Sequence, residues 1–167
     1  MPLSVAGLTY ATNLTAAVAT SASASNFGNE EGAALIASVM RAYMSEMELP
    51  TTTSTQHDDA EQAMIDSLIP MVGIPFNEES TIQAQLDRVE LAHQEYVNSI
   101  HLATVGPATG QSFSAPPASL DLSTFLNKSP PFTPAADITQ WALLIDTWVR
   151  GGLYVVSTGP TVTGPWT

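Results

Sequence analysis

From residue 30 to residue 149, apolar side chains recur mostly with a helical period. Leu35, Ile36, Val39, Met40, Tyr43, Met44 and Met47 form a wide stripe that predicts a helix over about 30–48. Asn29 caps it, Glu30 and Glu31 suit its first turn, and Pro50 stops it. After a Thr-rich loop, Ala60, Met64, Ile65, Leu68 and Ile69 predict a second helix over about 57–69, ended by Pro70. The third and longest, about 78–103, carries Ile82, Leu86, Val89, His93, Tyr96, Ile100 and Ala103 at alternating spacings of four and three. That heptad seam suits near-antiparallel packing against the first helix. A fourth helix is expected from Pro134 to Val149, with proline at its first position and Gly151-Gly152 closing it. Trp141, Leu144, Ile145 and Trp148 are its expected inner face. Leu153 to Val156 reads as a short strand.

The remaining chain follows no such rhythm. Residues 104–133 are a long Pro-rich linker, with a short helix expected near Leu120 to Asn127. Residues 1–28 read as an N-terminal arm, with a weak helix from Leu14 to Ala24, and 153–167 as an extended C-terminal arm. The predicted fold class is therefore mainly α. It is a small bundle of about four helices, with an acidic body over 29–103 and a Trp-bearing helix over 134–152.

Charge sharpens this division. The 167 residues carry 16 acids against 4 basic side chains, a net charge of -12. No charged residue occurs over 1–29, 96–120 or 151–167, whereas 13 of the acids lie between Glu30 and Glu95, with only Arg41 and Arg88 against them. An acidic segment of that density presents a solvated face. The neutral ends lack the charge that keeps disordered chains solvated, so they are expected to pack on something. One lysine, Lys128, gives no basic surface for a phosphate backbone, so direct nucleic-acid binding is not expected. The absence of cysteine excludes disulfides, thiolate metal sites and a cysteine nucleophile. No apolar run approaches the ~18 residues of a membrane span, and the start lacks the basic n-region of a secretory signal.

Candidate chemistry is sparse. Glu90 and His93 form an E-x-x-H on the third helix, half of a carboxylate–imidazole metal motif whose second copy is missing. His57, Asp58, Asp59 and Glu61 are the densest oxygen and nitrogen cluster, at a helix start that also favours acids without any metal. There is no G-x-S-x-G elbow and no phosphate-binding G-x-x-x-x-G-K motif. His101 has no acidic neighbour in sequence, and Pro116-Pro117 and Pro130-Pro131 read as rigid spacers.

These features favour a non-enzymatic assembly subunit of a large oligomeric particle. A viral or bacteriophage virion is the setting best matched by a short, acidic, cysteine-free chain rich in Ala, Thr and Ser. Contacts with like or other particle subunits are expected through both ends, at Leu3, Val5, Leu8, Tyr154, Val156 and Trp166, with no cofactor. The alternatives are a metal-binding bundle centred on Glu90 and His93, and an acidic adaptor for a basic partner.

Overall fold

The computed structural model describes residues 3–23, 29–47, 54–69, 79–104, 111–114, 116, 118–125, 134–156 and 162–165. Among them the chain is mainly helical, a small bundle as the apolar periodicity predicts. The helices are α1 (Val5–Ser23), α2 (Asn29–Glu46), α3 (Ser54–Leu68), α4 (Glu79–Thr104) and α5 (Pro134–Val149). The last four match the predicted helices to within three residues at every boundary.

The first is a departure. Residues 5–23, read as an arm with a weak helix at its end, form one continuous helix. Ala6, Tyr10, Leu14 and Ala17 are buried at spacings of four, four and three, so one face of α1 belongs to the core. Short side chains hide this stripe in the sequence, because alanine at two of four inner positions gives little hydrophobic contrast. Residues 5–23 of the N-terminal uncharged stretch are thus a structural helix of the bundle rather than a free extension.

Neighbouring helices run in the order α5, α1, α2, α3, α4. The expected pairing of the longest helix with the first acidic one is replaced by α4 lying along α3, while α2 lies between α3 and α1. Of the predicted α4 seam, Leu86, His93, Tyr96 and Ile100 are buried and Val89 is half-buried, while the side chains of Ile82 and Ala103 lie outside the described ones. On α5 the inner stripe is shifted. Ile138, Ala142, Ile145 and Val149 are fully inside, whereas Trp141, Leu144 and Trp148 pack on the core's margin. Both indole N–H groups need an acceptor, and the margin supplies one for each: Trp148 donates to the Ala118 carbonyl at 2.7 Å and Trp141 to the Tyr10 hydroxyl at 3.3 Å.

That margin also captures part of the linker. Leu120, Leu122 and Phe125 are buried, the last in a single 3₁₀ turn over Ser123–Phe125 and 5.1 Å from the Trp141 ring. The Asp121 carboxylate accepts the Ser123 N–H, and the Glu90 carboxylate of α4 accepts the N–H of Leu122. The short helix expected near 120–127 is this turn.

The chain ends in a sheet. After α5 is closed by the N–H groups of Gly151 and Gly152 bonding back to Trp148 and Val149, the predicted strand Leu153–Val156 follows. It is the middle strand, β2, of three antiparallel strands. Its neighbours are β1 (Gln111–Ser114), which the linker reading did not anticipate, and β3 (Val162–Pro165) from the C-terminal arm.

Candidate functional site

Besides Gln85 of α4 and Asp137 of α5, the buried polar side chains fall into three sets, each held by its partners. His93 on α4 is completely buried. Its Nδ1 bonds the Val89 carbonyl one turn back at 2.8 Å, and its Nε2 meets the Tyr10 hydroxyl of α1 at 2.9 Å. Tyr10 in turn accepts from Trp141, so one phenol ties α1, α4 and α5 together. Burial lowers the His93 pKa from 6.5 to about 4, and pushes the Tyr10 phenol above its ordinary value. Both groups are therefore neutral at pH 7. Glu90, one turn before His93, is turned to the Leu122 backbone instead. The two halves of the E-x-x-H are thus spent on different protein partners, and His93 keeps no ring nitrogen for a metal.

The second set is His57 with Tyr96, paired Nδ1 to hydroxyl at 2.9 Å between α3 and α4. Burial lowers the His57 pKa, and the nearby Arg41 guanidinium lowers it further. The oxygen cluster beside it already has a cation. Arg41 of α2 bonds Glu61 at 2.6 Å and pairs with Asp58, while Asp59 is exposed. Among the described residues no group of three or more His, Cys, Asp or Glu is placed to hold a metal ion.

The third set was not visible in the sequence reading. Asp146 of α5 is buried and receives the Ser4 N–H at 3.0 Å, the Ser4 hydroxyl at 2.6 Å and the Tyr43 hydroxyl at 3.1 Å. Ser4 also caps α1, accepting the Gly7 N–H at 3.0 Å. A carboxylate at that helix start meets the positive end of the helix dipole. Gly7 is there because of it: a Cβ would lie 2.9 Å from Asp146 Cγ and 3.0 Å from Leu3 Cδ2. The signal in the sequence is a lone acid within the run Trp141-Ala-Leu-Leu-Ile-Asp146, adjacent to the inner stripe of α5. All three sets join helices.

The other candidates lie outside. Leu3 is half-buried against the core, while Val5 and Leu8 of α1 are 78% and 55% exposed. Tyr154 and Val156 lie in β2, paired in register with β1 and β3. Trp166 lies outside the described residues. The feature that unites these positions is charge. α1 and all three strands contain no Asp, Glu, Lys or Arg, so two of the neutral stretches, 96–120 and 151–167, converge to build one uncharged sheet.

No protein-family model, curated protein or solved structure matches the chain. Among the described residues no helix is long and apolar enough to cross a membrane.

Proposed function

We propose that this chain is a non-enzymatic subunit of a larger assembly, a virion component of a virus or bacteriophage in the setting its composition fits best. The observation that carries the reading is the segregation of charge by element, with the exposed helical acids on α2, α3 and α4, those of α5 buried, and none on α1 or the sheet. In a chain of net charge -12, copies approach one another most cheaply through surfaces without carboxylates. The sheet offers such a surface with a built-in grammar. Its outer strands β1 and β3 carry none of the charged residues with which edge strands usually discourage further pairing. A neighbouring subunit adding a strand there gains main-chain hydrogen bonds, and Tyr154, Val156 and Trp166 are among the aromatic and branched residues of that end of the chain.

Light scattering across a concentration series, with electron microscopy of the largest species, tests the reading. Particles much heavier than the 17.6 kDa chain are expected. Ser112→Lys and Thr163→Lys, one on each outer strand, should reduce them while leaving the helical circular dichroism intact. A chain that stays monomeric at every concentration and with its co-purifying partners overturns the proposal.

A further inference from the structure

Resting on that assembly reading, we propose that the outer face of α1 is a helix-pairing seam for a second copy of this chain. Val5, Leu8, Thr12, Thr15 and Ala19 are all exposed and follow one another at spacings of three, four, three and four. That is the repeat with which two helices keep a common line of contact. The opposite face of α1 is already committed, through Ala6, Tyr10, Leu14 and Ala17, to the bundle's own core. A helix with one face inside and a second apolar line outside has more apolar surface than its own fold uses. The threonines belong to this line. Thr12 donates its hydroxyl to the Leu8 carbonyl at 2.9 Å and Thr15 to that of Ala11 at 2.8 Å, so both polar groups are satisfied within the helix.

Charge selects the occupant. Glu30, Glu31, Glu46, Asp58, Asp59, Asp66 and Asp87 are exposed on α2, α3 and α4, so copies meeting through those helices bring like charges together, at a cost. Glu46 borders α1 on its α2 side, where it accepts the Thr9 hydroxyl at 2.7 Å, and Thr9 is not part of the seam. A basic partner would seek the same acids and gain nothing at α1. On the α5 side of α1 the two acids, Asp137 and Asp146, are buried and present no repulsion. The surface that suits this uncharged, small-residue line is another of its kind, which a twofold copy of the chain supplies. A 19-residue helix is about 28 Å long, so the contact is a modest one that adds to others rather than an assembly by itself.

The chain has no cysteine, so an introduced one reports cleanly. Thr12 is the midpoint of the seam and faces its own counterpart whether the two helices run parallel or antiparallel. Under mild oxidation Thr12→Cys should form a disulfide-linked dimer on the order of tenfold faster than Ser38→Cys, a control on the exposed face of α2. Adding Leu8→Glu to the Thr12→Cys chain should remove that advantage while circular dichroism stays unchanged. Equal rates for Thr12→Cys and Ser38→Cys overturn the seam, as does cross-linking to a different protein in preference to itself. If the rates are equal while the wild-type chain still builds large particles, the seam fails and the assembly reading stands. If Thr12→Cys links rapidly but no species beyond a dimer forms, the seam stands and the larger assembly fails.

Discussion

The α1–α5 pair and the α2–α4 group solve the placement of ionisable groups in opposite ways. On α2, α3 and α4 most of the described carboxylates are exposed, and the buried polar groups are an amide, imidazoles and phenols, Gln85, His57, His93, Tyr43 and Tyr96. On α1 and α5 the outside is neutral, and the carboxylates of Asp137 and Asp146 are inside. A buried carboxylate is costly unless several donors meet it, and Asp146 has three. The outside of the pair, relieved of charge, is left fit for contact. The difference is one of placement: α2, α3 and α4 carry most of their described carboxylates outside, whereas α5 carries both of its carboxylates inside and α1 has none.

The strongest way to break this contrast is to remove the carboxylate that the neutral side hides. Asp146→Ala leaves the Ser4 N–H, the Ser4 hydroxyl and the Tyr43 hydroxyl without their acceptor, and unties the start of α1 from α5. A loss of roughly 3–5 kcal/mol is expected from urea unfolding. A loss below about 1 kcal/mol would mean that water serves these donors equally well and that the knot is incidental.

Acid tests the buried imidazoles next. His93 has a folded pKa of about 4 against an ordinary 6.5. Between those values the unfolded chain takes up a proton that the folded chain refuses. Stability is therefore whole above about pH 6.5 and declines as the pH falls towards 4, by roughly 3 kcal/mol for a gap of this size. His57, lowered by burial and Arg41, adds to the decline. Glu90, raised by burial, works the other way and gains when protonated. The urea midpoint of the wild type should fall between neutral pH and about pH 4.5, and His93→Gln should flatten that fall. Equal slopes would show that His93 is not held neutral.

Gly7 sharpens the comparison by sign. Alanine in place of a helical glycine ordinarily gains about 1 kcal/mol. At this position the new methyl group meets Asp146 and Leu3, and Asp146 is pinned by its three donors. Gly7→Ala should therefore lose about 1–3 kcal/mol in thermal or urea unfolding. A gain would mean that α1 and α5 can part without cost.

Much of the fold was legible because long apolar side chains mark it. The stripes of α2, α3 and α4 are built from Met, Ile, Leu, Val and Tyr, and their periodicity leaves little choice. α1 was less legible because its inner stripe uses Ala6 and Ala17, and a run of Ala, Thr and Ser resembles a polar arm unless the distant partners of Tyr10 are known. β1 was hidden for a related reason. Gln111–Ser114 holds a single aromatic among small polar residues, and only pairing with Leu153–Val156, some forty positions on, makes it a strand. The uncharged surfaces could be read directly from the charge map. The buried knot could not, because a lone aspartate in an apolar helix says that it needs partners but not that Ser4 and Tyr43 are those partners.

The smallest effect belongs to the acidic side, and it closes the contrast with Asp146. Arg41 bridges Asp58 and Glu61, and its side chain is about one-third exposed (34%), with Asp58 at 56% and Glu61 at 20%. Water and salt reach such a pair, side-chain entropy opposes it, and Arg41→Ala should cost only about 0.5–1 kcal/mol. Arg41 is one of just two cations between Glu30 and Glu95, so its loss also raises the repulsion among the surrounding acids. Both contributions act through solvent and shrink together as salt is added. The cost of Asp146→Ala, set mainly by its three interior donors, should change far less with salt, which reaches only its longer contact with Arg150 at 4.0 Å. A cycle pairing Arg41→Ala with Glu61→Gln separates the direct bond from the general field. A coupling that disappears in salt places Arg41 on the watery side of the molecule. One that persists would mean that α2 and α3 are joined by an ion pair as sheltered as the Asp146 knot, and the division between a charged outside and a charged inside would not follow the helices as drawn here.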